Sequence, residues 1–282
     1  MNFIAVCLES NGRKSWRHIE MLISQCKKLG IPIETLALSR QRIENEFSRY
    51  AIHTVPDVGK KTINGWVFDK YVYVDPADAA LAYYKSKGGK GFYDEGYTLL
   101  WLIRVICFDI FKELTRERVG LWRTNAPNDF LHIRDRIDDF CHNIAVDSSF
   151  YEFCKKYPHN IDLFIGTVRQ ATPELIVANY QKRWFSDVHG ENKRFPNPLN
   201  GEVLLEIWNC IEPDKWAQLT KAVATLQYKK GWPDLIIAQN NLLHFIELKT
   251  KDILLPSQEK LIYELLLPIG FSVSVLQVVP QK

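Results

Sequence analysis

Two short apolar runs near the C-terminus, separated by a tight turn, constrain the fold of this chain more than any other feature. The runs cover 235–238 and 243–248, and the polar turn between them, Gln239-Asn240-Asn241, is typical of an antiparallel β-hairpin. A helix is predicted to begin at Pro256 and to reach Leu267, and the alternation over 271–279 predicts a final strand. The order strand, strand, helix, strand predicts a protein of the α/β class.

Three charged residues lie at one end of this predicted hairpin. Asp234 stands at the entrance of the first strand, and Glu247 and Lys249 are two positions apart on the second. Because side chains at i and i+2 of a strand point to the same face, Glu247 and Lys249 project together, and the short turn returns them beside Asp234. Two carboxylates that repel each other favour a divalent cation, and Mg²⁺ suits oxygen ligands. The group therefore predicts metal-dependent phosphodiester hydrolysis, with Lys249 orienting the water or contacting a phosphate oxygen.

A purely structural interpretation of the same residues is also open. Asp234 follows Pro233 and can be an ordinary turn residue, and Glu247 with Lys249 can be a surface ion pair on a strand. The apolar residues that flank the pair argue against an exposed position.

Several motifs around these residues resemble the PD-(D/E)xK nucleases. The segments 231–234 (Gly-Trp-Pro-Asp) and 247–249 (Glu-Leu-Lys), followed by Gln258, resemble more narrowly the virus-type replication-repair nuclease (VRR-NUC) domain of that superfamily. The resemblance implies a restriction-endonuclease-like core, in which a mixed sheet is flanked by helices. It also implies metal ligands at Asp234, Glu247 and the Leu248 carbonyl, a catalytic Lys249 and a supporting role for Gln258.

The resemblance extends upstream, to about residue 55. The segment 74–84, followed by 91–96, is similar to the part of Fanconi-associated nucleases in which an acidic, Ala- and Leu-rich helix ends in Tyr and precedes a Glu-Gly pair. The Glu of that pair is a metal ligand in the family, so the resemblance assigns this role to Glu95. Where the family has a catalytic Gln, this chain has Asn125, whose shorter side chain is expected to support the site directly or through a water.

The same resemblance implies the cofactor and the partner. Two Mg²⁺ or Mn²⁺ ions are expected, with branched, flapped or 5′-ended DNA as the substrate, cut as a 5′ flap endonuclease or a 5′ to 3′ exonuclease in repair or replication. Contacts to DNA phosphates are expected from Lys229, Lys230 and Lys251. We expect a monomer, because the family's helical insertion is understood to block the dimer of its compact members. The alternatives are a dimeric Holliday-junction resolvase and a non-catalytic module that binds branched DNA.

Four segments describe the expected domain organisation. Residues 1–72 form a helical N-terminal segment and a hairpin, 73–125 the first part of the nuclease domain, 126–200 a large helical insertion, and 201–282 the VRR-NUC catalytic core.

Local patterns predict further elements within these segments. Packing helices are expected over 15–30 and 39–50, and the pair Asn64-Gly65 predicts a hairpin turn. A helix that begins at Asp75 or Pro76 is expected to end before Gly88, and the apolar stretch 94–112 predicts a buried helix.

Composition excludes several other classes of protein. The six cysteines include no CxxC pair and the seven histidines no HExxH motif, so a zinc or redox motif is not predicted. No apolar run approaches the ~18 residues that a membrane span requires. We therefore expect no membrane association and a cytoplasmic location, or a nuclear one in a eukaryote. The net charge of +3 permits a nucleic-acid surface without requiring one.

Overall fold

The computed structural model describes most of the predicted elements. The described residues are 13–45, 61–93, 97–107, 109–110, 154–155, 158–181, 201–225 and 231–281. The predicted site residues Glu95, Asn125, Lys229 and Lys230 lie outside these ranges. Within these ranges, no helix has the length and the apolar composition that crossing a membrane would take.

The described strands form one mixed sheet of seven strands in the order β3-β2-β1-β7-β6-β5-β4. Strand β7 runs parallel to both of its neighbours, β1 and β6, and the other pairs are antiparallel. The predicted α/β class, a mixed sheet flanked by helices, is confirmed. The strands are β1 (Ile33–Asn45), β2 (Lys61–Phe68), β3 (Tyr71–Tyr73), β4 (Lys90–Tyr93), β5 (Leu235–Gln239), β6 (Leu242–Lys249) and β7 (Ser272–Pro280).

Helices lie before and between these strands. A π-helical turn (Ile262–Leu266) and the short α9 (Leu267–Ile269) continue the helix α8 (Pro256–Leu261). The others, with α8, are α1 (Arg13–Leu29), α2 (Pro76–Ser86), α3 (Tyr97–Ile106), α4 (His159–Arg169), α5 (Pro173–Gln181), α6 (Gly201–Asn209), α7 (Pro213–Thr225) and α8 (Pro256–Leu261).

The C-terminal pattern of strand, strand, helix and strand is confirmed as β5, β6, α8 and β7. Asn240 and Asn241 connect β5 to β6 with φ values of 52° and 59°. Positive φ at both central residues is the conformation of a type I′ turn, which asparagine tolerates better than most residues and which matches the twist of antiparallel strands. Local turn chemistry therefore sets the register that pairs Leu235 with Ile246.

The prediction of a helix over 39–50 is wrong for its described part, because residues 39–45 belong to β1. The first half of β1 pairs with β7, and the second half pairs with β2, from Ser39 opposite Val67 to Asn45 opposite Lys61. These long-range backbone hydrogen bonds override a local preference that is worth only tenths of a kcal/mol per residue.

The predicted hairpin exists, but its turn lies at Asp69-Lys70 rather than at Asn64-Gly65. Asn64 and Gly65 are inside β2, opposite Arg42 and Gln41 of β1. Asp69 has φ 54°, and β3 then returns along β2. Pairing with β1 holds the Asn-Gly pair extended, which a local turn signal does not anticipate.

Two predicted helices that flank the sheet are confirmed. Asp75 caps α2, because its side chain accepts a hydrogen bond of 2.8 Å from the Ala77 N–H, and Pro76 occupies the first turn, where no N–H partner is needed. The apolar stretch near residue 100 forms α3, in which Leu99 and Leu102 are fully buried. Burying one such leucine contributes about 2 kcal/mol.

The two faces of the sheet carry different hydrophobic clusters. Phe245 and Val275 belong to the cluster that includes residues of α1, α3 and α8, whereas Ile246 and Leu276 belong to the cluster beneath α2. Because alternate residues of a strand face opposite sides, Glu247 lies on the same face as Phe245, the face that α1 covers.

Candidate active site

The hairpin brings Asp234, Glu247 and Lys249 to one face of the sheet. Leu235 pairs with Ile246, so the residue before Leu235, Asp234, lies opposite Glu247. Strand alternation then places Asp234, Glu247 and Lys249 on the same side. The convergence that the sequence predicted is present in the structure.

A hydrogen bond ties Asp234 to the second strand of the hairpin. The backbone N–H of Leu248 donates to Asp234 Oδ2 at 2.7 Å. A carboxylate that accepts a hydrogen bond from a main-chain N–H is held in one orientation. The donor residue, Leu248, lies between Glu247 and Lys249 on β6. Asp234 is therefore fixed beside Glu247 and Lys249 even though β5 begins one residue later.

Glu247 and Lys249 form a buried ion pair. Lys249 Nζ lies 2.9 Å from Glu247 Oε1, and the lysine and glutamate side chains are 4% and 1% exposed, respectively. Burying two charges costs several kcal/mol per ion unless the geometry is good and other hydrogen bonds help. A surface pair, the structural interpretation of these residues, is excluded by this burial. Lys249 Nζ also lies 3.4 Å from Asp252 Oδ2, and the Asp252 side chain is 64% exposed, so the pair approaches solvent beside Asp252.

Gln258 completes the hydrogen-bond network. Its Nε2 donates to Glu247 Oε1, and its Oε1 accepts from Lys249 Nζ at 3.0 Å. The same Oε1 accepts from the Leu255 N–H at 2.8 Å, which is the backward contact of a helix capping box. The start of α8 thus holds Gln258 against both charged side chains.

The local electrostatics favour a cation at Glu247. Burial, with a smaller contribution from the negative charge of Asp234, raises the pKa of Glu247 to about 8 despite the nearby Lys249. Burial alone would lower the pKa of Lys249, but attraction to Glu247 outweighs it, so the pKa of this ammonium is raised. Glu247 Oε2 is buried, and no group within the described ranges donates a hydrogen bond to it. A carboxylate oxygen in that state is well suited to coordinate a hard cation.

Among the residues that the structure describes, no three His, Cys, Asp or Glu side chains form a group that could hold a metal ion. Asp234 and Glu247 supply two carboxylates, and Glu95, the third expected ligand, lies outside the described ranges. Strand β4 ends at Tyr93, which pairs with Leu235. Tyr93 therefore lies beside the first residue of β5, which directly follows Asp234. Glu95 comes two residues after Tyr93 in the sequence.

Two residues that sequence reasoning did not select hold the loop beside this network or contact the network itself. Gln25, in the packing helix α1, donates from Nε2 to the Leu254 carbonyl at 3.0 Å and accepts from the Leu254 N–H at 2.9 Å. Asp252 contacts Lys249 as described above. Proximity in the chain is a signal for Asp252, but no sequence signal connects Gln25 with a loop that lies 229 residues away.

Two further side chains near the network are Lys251, a predicted DNA contact, and His244, the histidine of β6. Lys251 is exposed in the loop between β6 and α8. His244 is three positions before Glu247 on β6, so its side chain faces the opposite side of the sheet. Its Nδ1 lies 3.0 Å from Ser272 Oγ. It does not contribute to the candidate site.

Comparison with known proteins identifies a shared fold. No family model matches the chain, and no curated protein matches it. Among solved structures, the chain is similar to a crystal structure of paFAN1 bound to DNA with a two-nucleotide 5′ flap and a gap, with a TM-score of 0.51 and 12% sequence identity. The match covers 97% of this chain and 44% of paFAN1, so this chain spans less than half the length of that protein.

Proposed function

We propose that this chain is a divalent-metal-dependent DNA nuclease that hydrolyses phosphodiester bonds. The observation that carries the proposal is the buried network of Asp234, Glu247, Lys249 and Gln258, in which one carboxylate oxygen of Glu247 receives no hydrogen bond from the part of the chain that the structure describes. A network of this composition costs stability, and such costs are concentrated at functional sites. The fold shared with paFAN1, a FAN1 nuclease, is consistent with the proposal.

The carboxylates and one main-chain carbonyl are proposed to bind the metal. Asp234, Glu247, Glu95 and the Leu248 carbonyl provide hard oxygen ligands, which suit Mg²⁺ or Mn²⁺, and we propose two ions. When bound, such ions lower the pKa of water and neutralise the charge that grows on the phosphate. Asp234 is already oriented for this role by the Leu248 N–H.

Lys249 is proposed to act on the attacking water or on a phosphate oxygen. Its compact ammonium is kept protonated by Glu247 and is oriented by Gln258 Oε1 at 3.0 Å. Gln258 positions both charged side chains, and Asn125 is proposed to support the site as well. A fixed ammonium beside the reacting phosphate stabilises negative charge without reorganisation during the reaction.

The proposed substrate is branched, flapped or 5′-ended DNA. paFAN1 was crystallised with 5′ flap DNA. By this likeness and the motif resemblance, we propose 5′ flap endonuclease or 5′ to 3′ exonuclease activity in DNA repair or replication, by a monomer. Lys229, Lys230 and Lys251 are proposed to contact DNA phosphates.

The test is cleavage of a labelled 5′-flap duplex in Mg²⁺ or Mn²⁺ by wild type and by Asp234→Ala and Lys249→Ala. Each substitution should lower the single-turnover rate by at least about 100-fold, because it removes a metal ligand or the ammonium. Asp214→Ala and Lys260→Ala are matched controls, since both residues form exposed ion pairs away from the network, and they should retain the wild-type rate.

Three outcomes would contradict the proposal. Cutting at the wild-type rate by either site variant would remove that residue from the mechanism. Persistent DNA binding without cleavage by pure wild-type protein would indicate a non-catalytic module. A stable dimer in sedimentation that cuts four-way junctions symmetrically would indicate a resolvase.

A further inference from the structure

One helix beside the candidate site carries positive charge that the proposed reaction does not use. Helix α1 contains five Lys or Arg residues and one acidic residue, Glu20. Arg17, His18, Lys27 and Lys28 are exposed. The basic residues are Arg13, Lys14, Arg17, Lys27 and Lys28.

Gln25 fixes which side of α1 faces the active-site loop. Its amide makes two hydrogen bonds with the main chain of Leu254, one to the carbonyl and one from the N–H. Leu254 lies in the loop 250–255, which connects Lys249 to the helix that carries Gln258. The two bonds make Gln25 a fixed point from which the positions of the other side chains around α1 can be derived.

The charged residues divide between two sides of the helix. With a rotation of about 100° per residue, Lys28 lies about 60° from Gln25 around the axis, and Arg17 lies about 80° from it in the same direction. Lys27 lies about 160° from Gln25, and Glu20 about 140°. Arg17 and Lys28 therefore lie on the side of the helix nearer the loop, whereas Lys27 and Glu20 lie farther round it, with Glu20 about 60° beyond Arg17. We call Arg17 and Lys28 the α1 flank.

The α1 flank and Lys251 place positive charge on the surface beside the candidate site. Lys251, two residues after Lys249, is exposed in the loop that Gln25 holds. From Lys28 to Arg17 the helix extends about 16 Å, enough to follow several consecutive phosphates of one strand. Asp252 is the acidic residue of this loop, and its carboxylate is directed to Lys249.

We infer that the α1 flank binds the phosphate backbone of DNA that is engaged at the candidate site. The inference rests on the proposed function for the identity of the polyanion and on the Gln25 contact for the location. It assigns a DNA-binding role to the N-terminal helix, which lies before the residues, from about 55 onward, whose sequence motifs resemble a nuclease. Phosphate contacts of this kind carry no sequence preference, so the flank would hold and orient DNA rather than select a sequence.

The experiment compares charge reversals on the two sides of α1. Binding of a fluorescein-labelled 5′-flap duplex is measured by anisotropy in EDTA, which keeps binding separate from cleavage. Lys28→Glu and Arg17→Glu should each weaken binding about 5- to 10-fold. Each should also reduce the steepness of the plot of log binding constant against log salt concentration by about one. Lys27→Glu, the neighbouring residue with the same charge change, should alter affinity by less than about twofold.

The outcomes separate this inference from the proposed function. Equal losses in Lys27→Glu and Lys28→Glu would overturn the inference, even if the wild type cleaves DNA in Mg²⁺. Selective loss in Lys28→Glu would support it, even if the wild type binds but does not cleave. Undiminished DNA binding by Lys28→Glu, with loss of binding to phosphatidylserine vesicles, would overturn it in favour of a membrane surface. Thermal unfolding at the wild-type temperature is expected for all variants, because these side chains are exposed.

Discussion

Gly231 lies where the chain before β5 runs against the first turn of α8. A Cβ atom at this position would be 2.4 Å from the Ser257 carbonyl oxygen and 2.8 Å from the Gln258 nitrogen, and its φ is +97°. Both the close approach and the backbone conformation require glycine. Through this contact the segment that contains Asp234 sets the position of the helix that carries Gln258.

We predict that Gly231→Ala lowers both cleavage and stability. The added methyl group must push the start of α8 away, and Gln258 then loses its contacts with Glu247 and Lys249. Unfolding in urea should show a loss of about 2–4 kcal/mol, and the cleavage rate should fall by at least about tenfold.

The matched control for this prediction is Gly88→Ala. Gly88 has a similar φ of +84°, but a Cβ added there would meet no atom within 4 Å, so this variant measures the effect of backbone strain alone. If the two alanine variants lose the same stability and cleave at the same rate, the contact between Gly231 and α8 is not a constraint on the site.

At the scale of elements, α1 and the loop 250–255 behave as one unit of the active site. Gln25 satisfies both main-chain polar groups of Leu254, and the next N–H, of Leu255, is satisfied by Gln258. A loop whose backbone groups are satisfied by side chains is held in one conformation. The position of Gln258 therefore depends on a helix from the other end of the sequence.

We predict that Gln25→Ala loosens this loop without unfolding the protein. Loss of two hydrogen bonds should cost about 1–2 kcal/mol. Hydrogen exchange should accelerate for the amides of Leu254 and Leu255, and the cleavage rate should fall with little change in the affinity for DNA.

Ser24→Ala is the matched control, because Ser24 is the adjacent exposed residue of the same helix. Exchange in the loop should be unchanged in this variant. Unchanged exchange at Leu254 in Gln25→Ala would show that the loop is held by other contacts.

At the scale of the whole molecule, the candidate site places ionisable groups inside a sheet that otherwise buries apolar side chains. Strand β6 lies between β5 and β7, with Phe245 and Ile246 buried just before Glu247. The stability of the entire domain is therefore linked to the protonation and ligation of one carboxylate.

We predict that the metal-free protein becomes less stable as pH rises toward 8. The pKa of Glu247 is about 8 when folded and has a reference value of 4.5, so the folded state binds the proton more tightly. This stabilisation is complete below pH 4.5 and is lost as pH rises through about 8. In EDTA the free energy of unfolding should fall by about 2–3 kcal/mol between about pH 5.5 and 7.5.

Mg²⁺ should restore more stability at the higher pH, because it binds the ionised carboxylate. Urea unfolding of wild type and Glu247→Gln, with and without Mg²⁺, measures both effects. The Gln variant should lose this pH dependence, and an identical slope in the two proteins would assign it to other groups. Lys249 does not contribute to this pH dependence, because its raised pKa keeps it protonated across the whole pH interval of the experiment.

Elements whose signals are local could be predicted from the amino-acid sequence. The Asn-Asn turn, the apolar runs of β5 and β6, the Asp75 cap and the proline at the start of α8 all depend on neighbours within a few residues. For the same reason the shared face of Glu247 and Lys249 was predictable, because it follows from alternation along one strand. The assignment of Glu95 and Asn125 stays a prediction, since both lie outside the described residues.

Features that depend on distant pairing follow from the tertiary structure and not from local patterns. It made 39–45 a strand, moved the hairpin turn to Asp69-Lys70, and brought Gln25 to a loop 229 residues away. It also buried Glu247 and Lys249, although charged residues at these positions in an isolated hairpin would be solvated. The physical reason is that backbone pairing and burial are fixed by the whole packed sheet, and their energies exceed the local preferences that a sequence displays.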